Sequence, residues 1–155
     1  MPSITLLESI PTLYPDIVFE AGEEFSWNPE KKTITFVADD PLLDAHLLHE
    51  LSHAELNHES YSRDVELIAM ERDAWQHARS TLAPKYSVDI DSDTIQDDLD
   101  TYRDWLHARS TCPKCSSNGI QTGDFEYTCV FCRNIWRVNT AIGCALRRYN
   151  KKRAE

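Results

Sequence analysis

The sequence predicts an α+β protein in two parts: an acidic domain over residues 1–110 and a small cysteine-rich domain over 111–155. Three observations carry this. Short β-branched and aromatic runs near the N-terminus are followed by longer segments of helical periodicity. The charge is split: residues 1–111 hold 23 acidic and 8 basic side chains, whereas 112–155 hold 3 and 8, within a total of −10. All five cysteines, Cys112, Cys115, Cys129, Cys132 and Cys144, lie in the last third. With 41% hydrophobic and 27% charged residues the chain is a globular type. It has no apolar run of about 18 residues that would span a membrane. The N-terminal stretch lacks a basic region and is broken by Glu8, Pro11 and Pro15, so it does not read as a signal peptide, and a cytoplasmic location is expected.

Taken in order, residues 3–14 predict a short helix ended by Pro15. Residues 17–20 read as a strand closed by Ala21 and Gly22. Residues 25–27 and 33–37 read as two further strands joined by an Asn28-Pro29 loop. The first part is therefore expected to contain a short antiparallel sheet. Asp39 or Asp40 is placed to cap a helix with Pro41 at its first position, running to Leu56 or Asn57. A second helix is expected over 64–82, ended by Pro84. A third is expected over 94–109, capped by Ser92 or Asp93. Strands at 125–130 and 134–139 and a basic helix at 140–152 complete the expectation.

The first of these long helices contains His49-Glu50-Leu51-Ser52-His53. Four residues of α-helix turn the chain by about 400°, so His49 and His53 project from one face, one turn apart. Two imidazoles so placed can share a zinc ion. Glu50, about 100° round from His49, is positioned to act as general base toward a metal-activated water without itself binding the metal. A catalytic zinc needs a third protein ligand. The candidates are His58, Glu66, Glu71, Asp73 and His77. The metzincin pattern is excluded, because Leu56 and Glu59 stand where it requires Gly and His. His46 reads as an exposed helical histidine and Trp75 as a packing residue.

The segment HELSHAELNH, followed by Glu71-Arg72-Asp73-Ala74-Trp75, resembles the ImmA/IrrE-type zinc metallopeptidases and their phage relatives over about residues 30–80. The resemblance implies a zincin-like fold of gluzincin type. His49 and His53 would be zinc ligands, Glu50 the catalytic base and Glu71 the third ligand. Glu71 follows His53 by 18 positions, a shorter step than that family usually has, and Glu66 stands as the alternative third ligand. The resemblance also implies a protein substrate, such as a regulator. It suggests that the strand 33–37 forms a sheet edge to which an extended peptide adds.

In the last third, Cys112-x-x-Cys115 and Cys129-x-x-Cys132 are separated by thirteen residues, the spacing of a closed structural zinc site in a ribbon. So small a domain cannot fold on apolar burial alone, and bound metal supplies the stability. Cys144 lies outside the pattern and reads as a buried free thiol. Counting four thiolates and one Zn2+ lowers the local charge from +5 to about +3. The remaining cations, with Phe131, Trp136 and Tyr149 among them, make residues 112–155 a candidate nucleic-acid contact. An HExxH helix followed by a four-cysteine ribbon also resembles SprT-like proteins, which act on DNA-associated proteins but usually supply a third histidine. The expectation is thus a zinc metalloendopeptidase with one catalytic and one structural zinc. A non-catalytic zinc-binding adaptor is the alternative.

Overall fold

A computed structural model describes residues 5–139 and 146–151. The chain is mixed α and β and forms two compact units: Met1–Ser60 with Ala69–Gln96, and Tyr61–Ile68 with Asp97–Glu155. Among the described residues, no helix is long and apolar enough to cross a membrane.

The first unit begins with α1 (Leu6–Leu13) and a sheet of β1 (Val18–Ala21), β2 (Ser26–Asn28) and β3 (Thr33–Phe36). The strand order is β1-β3-β2, with β1 parallel and β2 antiparallel to β3. This corrects two expectations. The sheet is not wholly antiparallel, and the 33–37 strand is central rather than an edge. The reason is burial: β3 alone carries two buried side chains, Ile34 and Phe36, so it takes the middle. Gly22 lets the chain leave β1 closely, since a Cβ there would meet Thr35 Cγ2 at 2.5 Å. The loop between β2 and β3 is held by Asn28 Oδ1, which accepts the N–H groups of Glu30 and Lys31 at 3.0 and 3.1 Å.

Helix α2 (Leu43–Glu55) packs on β2, β3 and α1. It starts two residues later than expected. The Asp40 carboxylate accepts the Leu42 N–H at 2.7 Å and so closes a turn ahead of the helix instead of capping it. Eight of its thirteen residues, Ala45 and 47–53, are buried, so both its apolar and its polar sides face protein. Helix α3 (Asp64–His77) runs into a π-helical turn, Ala78–Leu82, and then α4 (Ala83–Tyr86). Pro84 therefore does not end the helical run as expected. In the wider turn the Ala83 N–H reaches back five residues to the Ala78 carbonyl, and Pro84 falls in the first turn of α4, where its missing N–H is harmless. The run ends at Ser87, in the left-handed conformation at φ 56°.

The second unit is built on α5 (Ser92–Ser110), most of which belongs to it, and an antiparallel sheet of β4 (Gly119–Gly123), β5 (Glu126–Cys129), β6 (Ile135–Val138) and β7 (Arg148–Asn150). Asp91, not Ser92 or Asp93, caps α5, its carboxylate accepting the Asp93 N–H at 2.9 Å. The compact unit does not begin at residue 111, because Leu106 packs on the core of Cys112, Tyr127, Cys129, Trp136 and Val138. The expected basic helix over 140–152 is corrected at 148–150, which pair with β6 and cover its otherwise open edge. Residues 140–145, including Cys144, and 152–155 lie outside the described residues. Strand β4 has no counterpart among the expected strands, because Gly119 and Gly123 at its ends favour turns over strands. Gly119 is required there: a Cβ would meet Trp136 Cη2 at 2.5 Å and the Thr128 carbonyl oxygen at 2.8 Å.

A buried polar knot ties α3, α5 and this sheet within the unit. Asp64 Oδ2 accepts from Arg109 Nε at 2.9 Å and from the Tyr127 hydroxyl at 2.6 Å. The Arg109 guanidinium also donates to the Asn139 carbonyl, and the Arg109 carbonyl accepts the Trp136 indole N–H at 2.9 Å. Asp64 and Arg109 are 2% and 1% exposed, so removing either partner strands a buried charge. Asp64→Ala should cost about 3–5 kcal/mol, read from urea unfolding of the metal-loaded protein. A loss below about 1 kcal/mol, the level of a surface ion pair, would show that the knot is not closed to water.

Candidate metal centres

The first centre grows from α2. His49 and His53, one turn apart, bring their ring centroids to 4.7 Å. Both are buried, as are Glu50 from the same helix and Glu71 from α3. Glu71 receives the two imidazoles together: His49 Nε2 lies 2.9 Å from Oε2 and His53 Nε2 lies 3.2 Å from Oε1. Glu50 Oε1 lies 3.5 Å from His49 Nδ1. His49, Glu50 and His53 each offer a donor atom within 4.8 Å of the others. Ala74, fully buried three residues after Glu71, leaves room for close packing of α3 at this level.

Electrostatics reinforces the cluster. Burial opposes a charge on His49, but the Glu50 and Glu71 carboxylates outweigh it and hold its pKa up to about 10. Burial likewise opposes ionisation of Glu71, and the two imidazoles overcome it, pulling its pKa down to about 2. Despite their short approach, His49 Nε2 and Glu71 Oε2 are buried without hydrogen-bond geometry. Two histidines and carboxylates whose buried donor atoms converge are a suitable set for a divalent transition metal.

Neighbouring rings set the orientation. Trp75, fully buried, stacks on His49 at 4.2 Å between centroids and 9° between planes. His46 is not the exposed histidine expected from the sequence. It is half-buried, stacked on Phe25 at 5.0 Å and edge-on to Trp75 at 5.5 Å. His58 Nδ1 lies 2.8 Å from His53 Nδ1. Burial, then the nearby His53 imidazole, pushes the His58 pKa down.

The remaining candidate ligands have other partners. Glu66 is exposed, and its carboxylate accepts the Ser62 N–H and hydroxyl, each at 3.2 Å, a turn ahead of α3. Asp73 pairs with Arg72 at 3.2 Å. His77 Nε2 lies 2.6 Å from Glu55 Oε2, and the other oxygen of Glu55 accepts the Tyr14 hydroxyl at 2.6 Å. Of Glu71 and Glu66, Glu71 is the carboxylate that meets both histidines.

The second centre is the cluster of Cys112, Cys115, Cys129 and Cys132, whose sulfurs all lie within 4.8 Å of one another. Sγ of Cys112 is 3.7 Å from Cys132, and Sγ of Cys115 is 3.5 Å from Cys129. A tetrahedron of sulfurs about 2.3 Å from a central zinc has edges of about 3.8 Å, so these separations suit an S4 site. Two similar turns build it. In each, the first cysteine N–H bonds the carbonyl five residues on, Cys112 to Ser117 at 2.7 Å and Cys129 to Asn134 at 2.8 Å. In each, the residue after the second cysteine is left-handed, Ser116 at φ 66° and Arg133 at φ 62°. The N–H groups of Phe131 and Cys132 point at Cys129 Sγ, both at 3.4 Å, and that of Lys114 points at Cys112 Sγ at 3.4 Å.

The thiols are tuned unequally. The Ser117 N–H and hydroxyl pull Cys115 down to about 6. At Cys132 the Asn134 N–H favours the thiolate, but burial and the neighbouring sulfurs prevail and push the pKa up to about 11. Four thiolates this close cannot all ionise without a cation among them.

Comparison of the chain with protein-family models, curated proteins and solved structures finds no match. The centres therefore stand on their own geometry.

Glu71→Ala should remove one metal equivalent, measured by inductively coupled plasma mass spectrometry after exhaustive dialysis. Glu66→Ala should keep it and weaken only the start of α3, by about 0.5–2 kcal/mol. The opposite pattern would reassign the third ligand.

Proposed function

We propose that this chain is a zinc-dependent metallopeptidase of gluzincin type, similar to the ImmA/IrrE group, with a structural zinc in a C-terminal ribbon. The observation that carries the reading is the meeting of His49, His53 and Glu71 in one buried cluster with Glu50 beside it. His49 and His53 would hold the catalytic zinc through Nε2 and Glu71 through its carboxylate. A zinc ion bound there would supply Lewis acidity, lowering the pKa of a water and polarising a peptide carbonyl. Glu50, whose Oε1 lies 3.5 Å from His49 Nδ1, would be the group that holds and passes on a proton beside such an ion. The stacked Trp75 restrains His49 against rotation. With β3 central, an extended peptide would add instead to an edge strand, and β2, which packs on α2, is the one we favour.

A second reading, a zinc-binding adaptor that contacts nucleic acid or protein, draws on the outer face of the cysteine-rich sheet. Arg137 and Tyr149 are direct cross-strand partners and both are exposed, as are Arg133 and Phe131. Trp136 is fully buried and drops out of any stacking surface. The SprT-like alternative lacks support from a third histidine, because His58 meets His53 through Nδ1, not on the Nε2 side that faces Glu71.

Glu50→Gln separates the readings. In cells, with trapped partners compared by quantitative proteomics, the peptidase reading expects a fragment seen with wild type to vanish in the variant. Metal content and unfolding temperature should stay unchanged. Identical fragment patterns for the two would favour the adaptor.

A further inference from the structure

Helix α2 ends in a turn whose geometry bears directly on His53. The N–H of Leu56 bonds the Ser52 carbonyl at 2.9 Å, that of Asn57 the Ala54 carbonyl at 3.2 Å, and that of His58 the His53 carbonyl at 3.0 Å. Asn57 adopts the left-handed conformation at φ 56°. This crossed pair of closing bonds is a Schellman C-cap, with asparagine where glycine is commonest. Its effect is to fold the residue five positions after His53 back onto the end of the helix. In a continued helix the two side chains would diverge by about 140°. Here the His53 and His58 rings meet, with their Nδ1 atoms 2.8 Å apart, centroids at 5.1 Å and planes at 61°.

The turn is also held from the sheet. The Trp27 indole N–H, from β2, donates to the His58 carbonyl at 3.2 Å. The His58 backbone is thus held on both sides, its N–H by the C-cap bond and its carbonyl by the indole. His58 is half-buried and forms part of the wall of an open groove of about 390 Å³, with Leu56, Asp73 and His77.

A hydrogen bond between two Nδ1 atoms needs a proton on one and a lone pair on the other. His53 presents Nε2 to Glu71, at 3.2 Å, on the side where a metal would sit. An imidazole that gives Nε2 to a metal carries its proton on Nδ1 and commonly donates it to an oxygen acceptor. From these contacts we infer that His58 is the positioning residue of the centre: it accepts the Nδ1–H of His53 and so holds that ligand's tautomer and ring plane. His58 is not a ligand itself, because it contacts the edge of His53 that faces away from Glu71. A second imidazole is an unusual acceptor here, and the left-handed Asn57 is what allows it to reach.

This inference rests on the metal-centre reading above. The test uses the full chain with the four-cysteine site loaded. Zinc affinity at the His49–His53–Glu71 centre is measured by competition with a chromophoric chelator for wild type, His58→Ala and His58→Asn. Long-range 1H–15N spectra of the histidine side chains report the tautomer of His53. His58→Ala should weaken zinc binding by about 10- to 100-fold. His58→Asn, whose amide oxygen can accept the same proton, should recover most of that loss, with His53 protonated on Nδ1 in wild type and in this variant. A merely structural role would lower the unfolding temperature and weaken both variants alike, and that result overturns the inference. Unchanged affinity in His58→Ala overturns it too, while leaving the metal centre standing. A wild-type chain that takes up no metal beyond the cysteine site would remove the metal reading and this inference together.

Discussion

Two carboxylates, Glu50 and Glu71, are buried against two imidazoles in the middle of the first unit, and much of that unit is arranged around this cluster. Buried charge is costly unless it is paired. A surface helix would turn such a stripe to solvent. Helix α2 cannot, because Leu47, Leu48 and Leu51 bury its other side in the core. The polar side must therefore be satisfied by protein or by a bound cation. Glu71 provides the balancing carboxylate, Trp75 the flat wall that keeps His49 in place, and the C-cap at Asn57 the turn that brings His58 under His53. Each of these is local geometry, and together they give the donors little freedom to rearrange.

The second unit meets the same problem with different chemistry. Its sheet is too small to supply a large apolar core, and its centre is filled by Tyr127, Trp136 and the thiols. The Asp64–Arg109 pair closes the sheet against helical segments of that unit, and the two cysteine turns close the other end. Cys115 and Cys132 are tuned unequally because Ser117 donates to the first, whereas burial and the neighbouring sulfurs prevail at the second. Polar and metal-binding groups thus contribute to the architecture as much as to any chemistry.

The residues of the two candidate centres are legible because their spacing is short and mechanical. HExxH on a helix and paired CxxC turns specify which atoms converge before any packing is known, and the α+β class follows from local periodicity. What was not legible depends on contacts between distant segments. The central place of β3 follows from burial of Ile34 and Phe36 that alternation alone does not reveal. Strand β4 was hidden because Gly119 looks like a turn until the Trp136 ring is seen to lie against it. Strand β7 was read as helix because a basic, alanine-containing run favours one, and only pairing with β6 settles 148–150 as extended. His58 stood among the candidate ligands, but its actual contact needs a left-handed Asn57, for which asparagine is a permissive signal and not a decisive one. That Glu71 and not Glu66 lies beside the histidines depends on tertiary placement, with Ser62 engaging Glu66.

The central claim is that this chain carries two chemically distinct metal centres, one of nitrogen and oxygen donors and one of sulfur. Anomalous diffraction at the zinc absorption edge, on crystals of the full chain grown with zinc, tests it most directly. The account predicts two anomalous peaks, one bounded by His49, His53 and Glu71 and the other by Cys112, Cys115, Cys129 and Cys132. A single peak among the four sulfurs, with His49 and Glu71 held together by a proton alone, would contradict it.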